Sequence, residues 1–143
     1  MESEWTVEDM YEIGARHARL EAEGDLEGTL ATLVDDPVYE FWPMGWRFNG
    51  LDATRRYYEH LLGEFVPRTR GYTLLAEWVS PSSVAQEYEI VVDVDGRPES
   101  HRVIGILYGE GPLLTGERVY ASERCVRLMA GDALIDEIAG ATD

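Results

Sequence analysis

Residues 24–58 read GDLEGTLATLVDDPVYEFWPMGWRFNGLDATRRYY, and the order of punctuation and periodicity in this stretch decides the fold. Gly24-Asp25 closes one helix and caps the next: glycine takes the left-handed C-cap, and an aspartate oxygen accepts from free helix N–H groups. Leu26, Leu30, Leu33 and Val34 give the second helix its buried side. Asp35-Asp36-Pro37 is expected to stop it, because the residue before a proline is pushed out of the α region. Val38 to Trp42 is β-prone and aromatic, and Pro43 ends this strand or marks it as an edge. The run from Met44 to Gly50 reads as an aromatic-rich loop folded over the body as a rim or lid. Asn49-Gly50-Leu51-Asp52 then turns the chain into a third helix.

Working outward, Thr6-Val7-Glu8-Asp9 has the spacing of a capping box with acids in the first turn. Met10, Ile13, His17 and Leu20 follow at three- and four-residue steps, so His17 sits in an apolar stripe. In the third helix Leu51, Thr54, Tyr58, Leu61, Leu62 and Phe65 form the inward stripe, with Tyr57 at its margin and Pro67 as terminator. From Tyr72 the period switches to two. Strands are expected over 72–79, 84–94, 101–108 and from Leu113 to about Val126, with Asp95-Gly96 a strong hairpin signal. Gln86, Tyr88, Ile90 and Val92 share one face of the second of these, opposite Glu87, Glu89 and Asp93. Residues 133–138 read as a short helical tail. The order ααβαββββ is that of an α+β domain, and a curved sheet around a long helix leaves a cavity between them.

At 143 residues one domain spanning 1–143 is the expectation, with a core large enough to be stable alone. The 45% hydrophobic content argues against disorder. No run has the length of a membrane span, the acidic start lacks a secretory signal, and the lone Cys125 forms no intrachain disulfide. A reducing cytoplasm is therefore the expected compartment, with no membrane association. Twenty-eight acidic against 12 basic residues give a formal charge of −16, which opposes counterion release on phosphate and makes nucleic acid an unexpected partner.

These elements resemble the nuclear transport factor 2-like superfamily, in particular its SnoaL-like and ketosteroid-isomerase-like branches. The resemblance rests on Gly24-Asp25-Leu26, Asp35-Asp36, the strand Val38 to Trp42, and Gly50-Leu51-Asp52-Ala53-Thr54-Arg55-Arg56-Tyr57-Tyr58. It continues in Gly111 to Tyr120, which looks like the family's G-K-I-x-x-x-R-x-Y strand, and so covers nearly the whole chain. It implies a cone-shaped barrel, a curved and mainly antiparallel sheet wrapped around the N-terminal helices, holding a small apolar ligand. Homodimers built on the outer sheet face are also implied.

The same resemblance carries site residues with it, and several are altered here. Ketosteroid isomerases use a carboxylate base with an oxyanion hole of a tyrosine and a protonated aspartate. The oxyanion tyrosine falls on His17, its buttressing tyrosine on Tyr58, the base on Phe41 and the protonated aspartate on Val103. The acid of SnoaL-like cyclases falls on Ser122. Two readings of His17 and Tyr58 stay open: a proton-transfer pair, or a satisfied hydrogen bond within the core. Arg118, Tyr120 and Ser122 are expected on one inward strand face, where Arg118 holds developing negative charge. Its plainer reading is a salt bridge with Glu87 or Glu89. Glu40 alternates with Phe41 and points outward unless a bulge near Pro43 reverses it, which would make Glu40 the nearest base. Trp42, Trp46, Tyr88 and Phe41 complete the ligand-lining candidates. No His/Asp spacing suggests a metal site, and no cofactor motif occurs.

The leading expectation is a cofactor-independent enzyme doing proton-transfer chemistry on a small hydrophobic carbonyl- or hydroxyl-bearing molecule such as a polyketide, terpenoid or steroid. Isomerisation, cyclisation and addition or loss of water are the reactions in view. The rival is a non-catalytic ligand-binding or dimerisation module of the same fold. An inward acid beside His17 and Tyr58 distinguishes the first from the second.

Overall fold

The computed structural model describes residues 4–141. Helix α1 (Val7–Ala22) opens with the capping box expected from sequence: Thr6 accepts from the Asp9 N–H, and Asp9 accepts from the Thr6 N–H. It buries Met10, Ile13, Gly14 and His17. Helix α2 (Leu26–Ala31) is capped by Asp25 and ends earlier than its sequence suggests. Leu33 already belongs to strand β1 (Leu33–Trp42), which takes in the Asp35-Asp36-Pro37 segment as an irregular stretch. The acids there are exposed at a strand irregularity instead of terminating a helix.

The expected rim loop is itself a strand, β2 (Trp46–Asn49), antiparallel to β1. Helix α3 (Leu51–His60) continues as a turn of π-helix over Leu61–Phe65 and a 3-10 turn over Val66–Arg68. Then come β3 (Thr69–Ser80), β4 (Ser83–Val94), β5 (Arg97–Gly109) and β6 (Leu114–Tyr120). The six strands form one sheet in the order β2-β1-β6-β5-β4-β3, with β1 and β6 parallel and every other pair antiparallel. The architecture is the α+β cone, with an open sheet curved over α1 and α3.

The last strand is shorter than expected. It stops at Tyr120, and Ser122 caps helix α4 (Glu123–Ala130) by accepting from the Cys125 N–H at 3.1 Å. Helix α5 (Asp132–Ala141) follows. Val126, expected at the end of this strand, is instead a buried helical residue. Serine at N-cap and Gly131 at C-cap are the stronger signals.

An aromatic cluster joins helix to sheet. Tyr39 and Phe41 of β1, Phe48 of β2, and Tyr57 and Tyr58 of α3 have ring centroids 5.0–5.8 Å apart, and all are buried. Such pairs add about 0.5–1.5 kcal/mol each beyond their area burial.

A bulge in β6 sets which side chains face inward. Tyr108 pairs with Gly116 and Gly109 with Leu114, so Thr115 has no partner of its own. One extra residue reverses the alternation. Leu114 is buried before the bulge, and Val119 on the opposite parity is buried after it. Gly116 sits where β1 crosses closest: a Cβ there would lie 1.9 Å from the Val38 carbonyl oxygen. Gly116→Ala is expected to cost about 3 kcal/mol or more, since the obstacle is backbone and cannot rotate away. The urea midpoint of the variant against the parent measures this.

Candidate functional site

His17 is 1% exposed and its tautomer follows from its neighbours. The Thr32 hydroxyl donates to the Thr29 carbonyl at 2.6 Å, so its oxygen accepts from His17 Nδ1–H at 2.7 Å. Nδ1 therefore keeps its proton. The second nitrogen, Nε2, lies 3.1 Å from Glu21 Oε1 and 3.0 Å from the Tyr58 hydroxyl. Bare, Nε2 accepts from Tyr58; protonated, it donates to Glu21. Tyr58 is in turn 2.5 Å from the Tyr39 hydroxyl, which completes a buried chain with every member satisfied.

Burial alone would lower the imidazole's proton affinity. The charge and hydrogen bond of Glu21, with a smaller contribution from Glu117, outweigh it and leave His17 above its ordinary value. Nε2 is thus the ring nitrogen whose protonation can change.

A cavity of about 350 Å³ opens between α1, the π-helical turn and the sheet. His17 and Glu21 line it from α1, Tyr57 and Leu61 from the α3 side, and Tyr88, Leu107 and Glu117 from the sheet. That volume lies within the range of small-ligand pockets, and the wall is mostly apolar with a few polar groups. Tyr57 and Tyr88 are raised well above the ordinary phenol value, chiefly by burial, and so stay protonated as donors.

Among the carboxyls of the described residues, Glu117 is the one raised above its ordinary value. Burial first, and then repulsion from Glu21, push its carboxyl up to about 8, with His17 pulling the other way. Among the described residues it has neither a hydrogen-bond nor an ion-pair partner. Its residual accessible surface faces the cavity.

Of the residues singled out from sequence, His17 and Tyr88 line this cavity, and Tyr58 stands directly behind His17. The inward face expected for Arg118, Tyr120 and Ser122 is corrected, because the bulge at Thr115 turns Arg118 and Tyr120 outward and Ser122 is a helix cap. Arg118 pairs with Glu40 at 3.2 Å across adjacent strands and lies over the Tyr108 ring. Glu40 therefore points outward with it, on the parity opposite Phe41. Glu87 and Glu89, the partners expected for Arg118, bind Arg102 instead. Phe41 and Val103 are fully buried packing residues that do not line the cavity. Trp42 is exposed, and Trp46 lies under Arg127 at 5.5 Å.

Glu21, Thr32, Tyr57 and Glu117 went unread. Glu21 had a signal, its four-residue spacing from His17 on one helical face. Tyr57 had a weaker one, since it lay at the stripe's margin. Glu117 had none without the bulge. Among the described residues no group of three or more His, Cys, Asp or Glu is arranged to hold a metal ion.

No family model matches the chain, and no curated protein matches it significantly. Solved structures do. A nuclear transport factor 2-like protein of unknown function from Cytophaga hutchinsonii is similar with TM-score 0.61 and 17% identity, covering 88% of this chain and 98% of that one. A candidate ketosteroid isomerase from Kribbella flavida aligns with TM-score 0.66 and 16% identity over 81% and 79%. A protein of ketosteroid isomerase-like fold from Catenulispora acidiphila, in complex with trimethylamine, aligns with TM-score 0.64 and 16% identity over 84% and 92%. The likeness is one of fold: the chain has the nuclear transport factor 2-like fold.

The raised carboxyl of Glu117 has a consequence for stability. Its folded value of about 8 exceeds the unfolded value of about 4.3, so the folded state holds the extra proton between them. Stability from this group is fully present below about pH 4.3 and is lost as pH rises through about 8, with a slope of at most about 1.4 kcal/mol per pH unit. Glu117→Gln should remove that slope, so its stability relative to the parent rises across the window. Urea unfolding at a series of pH values reads the difference.

Proposed function

We propose that this chain is an acid–base catalyst acting on a small, largely apolar carbonyl- or hydroxyl-bearing molecule held in the cavity. The observation that carries the reading is His17 Nε2: its tautomer is fixed by Thr32, it is paired with Glu21, and its side chain lines an apolar cavity. Nε2 takes a proton from carbon or oxygen of the ligand, and Glu21 stabilises the imidazolium that forms. The protonated phenols of Tyr57 and Tyr88 are the donors available to an oxygen that gains negative charge. Return of the proton to a different ligand atom is an isomerisation; its delivery to a leaving hydroxyl releases water. Tyr58 and Tyr39 orient the ring from behind.

The inward acid supports catalysis over a purely binding role, since a dry pocket without a base has no means of moving a proton. A probe ketone such as cyclohexenone in heavy water tests this, with α-proton exchange followed by nuclear magnetic resonance. The parent should exchange faster than buffer, and His17→Ala should lose about 100-fold while keeping the fold. Exchange equal to buffer for a panel of apolar ketones and alcohols would sink the catalytic reading.

A homodimer through the outer sheet face goes with this reading. Support comes from half-buried Ile104 and Ile106, set between the ion pairs Arg102–Glu87 and Arg118–Glu40. Light scattering at micromolar concentration should give twice the chain mass, and Ile106→Asp should shift it to the monomer. A cytoplasmic location is consistent with the lone, buried Cys125; among the described residues no helix is long and apolar enough to cross a membrane.

A further inference from the structure

Glu117 has no part in the proton-transfer scheme above, yet it is an acid that lines the cavity with no hydrogen-bond or ion-pair partner among the described residues. Satisfied buried carboxylates normally have an arginine, a lysine or backbone N–H groups beside them. Among the described residues the cavity wall contains no lysine or arginine, and its second carboxylate, Glu21, adds to the negative potential. An aromatic surface stands beside these acids: Tyr72 and Tyr88 both line the cavity, with ring centroids 5.1 Å apart and planes inclined by 36°. Tyr72 is 54% exposed, which sets it at the mouth. Carboxylates with tyrosine faces and no competing cation are the chemistry that holds an ammonium group.

We propose that the ligand of this cavity carries a basic nitrogen, bound as an ammonium by Glu117 and the faces of Tyr72 and Tyr88. The assignment rests on the reading of the cavity as a ligand site and leaves the proton-transfer role with His17 and Glu21. In the empty cavity Glu117 stays protonated because burial and Glu21 both oppose its charge. A bound cation reverses that balance, so Glu117 gives its proton to solvent as the ammonium enters. The other titratable groups facing this space are His17 and Glu21 from α1, Tyr57 from α3, and Tyr72 and Tyr88 from the sheet. Burial raises all of these tyrosines, so near neutral pH they stay uncharged.

Three probes of one shape and different charge test the assignment: benzylamine, benzyl alcohol and benzoate, titrated calorimetrically at about pH 7 in two buffers of different ionisation enthalpy. Benzylamine is expected to bind at least about tenfold more tightly than benzyl alcohol, with benzoate weakest. It should also release up to one proton. Glu117→Gln should lose the proton release and the amine preference while keeping benzyl alcohol affinity and the far-ultraviolet circular dichroism of the parent. Glu21→Gln, which removes only the neighbouring charge, should weaken amine binding less. Benzyl alcohol binding as well as benzylamine, or amine preference unchanged in Glu117→Gln, overturns the ammonium assignment and leaves the cavity as a ligand site. Binding of none of the three overturns both.

Discussion

Where β1 runs beside β6, the Val38 carbonyl meets Gly116 so closely that no side chain fits between them, and the Tyr108 hydroxyl donates to the same carbonyl at 3.1 Å. This contact closes the parallel seam of an otherwise antiparallel sheet. The unpaired Thr115 beside it reverses the alternation of β6, so an acid, Glu117, lines the cavity and a base, Arg118, goes to the outer face. The opposite register would put a guanidinium beside His17 and invert the electrostatics of the site. Which ionisable group the sheet presents to the pocket thus follows the register of β6.

Inside that frame the polar groups divide into those that are satisfied and those that are not. Thr29, Thr32, His17, Tyr58 and Tyr39 form a continuous hydrogen-bonded chain from α2 through α1 to α3 and β1. Each link orients the next, which is why the histidine has only one nitrogen whose proton can change. Glu117 lies outside the chain. Its cost is avoided by staying neutral, a state that lasts only while nothing positive enters the cavity.

The outer face follows different physics. Its ion pairs, Arg118–Glu40 and Arg102 with Glu87 and Glu89, are partly solvated and contribute about 0–1 kcal/mol each. They bear on specificity of association more than on stability of the chain. Of these residues Arg118 and Glu40 were active-site candidates in the linear sequence, Arg118 through the inward face the family resemblance implies for its strand and Glu40 through a bulge near Pro43 that would reverse it.

Local signals were enough for most of the frame. Capping at Thr6 and Asp25, the stripe through Met10, Ile13 and His17, the alternation of Val84 to Val94 and the Asp95-Gly96 turn are short-range features, and each is realised as read. From them an α+β domain was legible, with His17 and, through the stripe of α3, Tyr58 inward; the cone itself was what the family resemblance implied. The acids were a different matter. Glu40 points outward as its alternation with Phe41 predicts, and Glu21 followed from spacing and was overlooked, whereas Glu117 and Arg118 turn on a bulge in β6 that no single segment announces. The end of β6 and the start of α4 went the same way, since Val126 suits either element by propensity. Periodicity within one segment is written in that segment's own residues, and the sequence by itself determined it. Register is a relation between segments distant along the chain, and only the tertiary structure, through the extra residue at Thr115, decided that Glu117 lines the cavity and Arg118 does not.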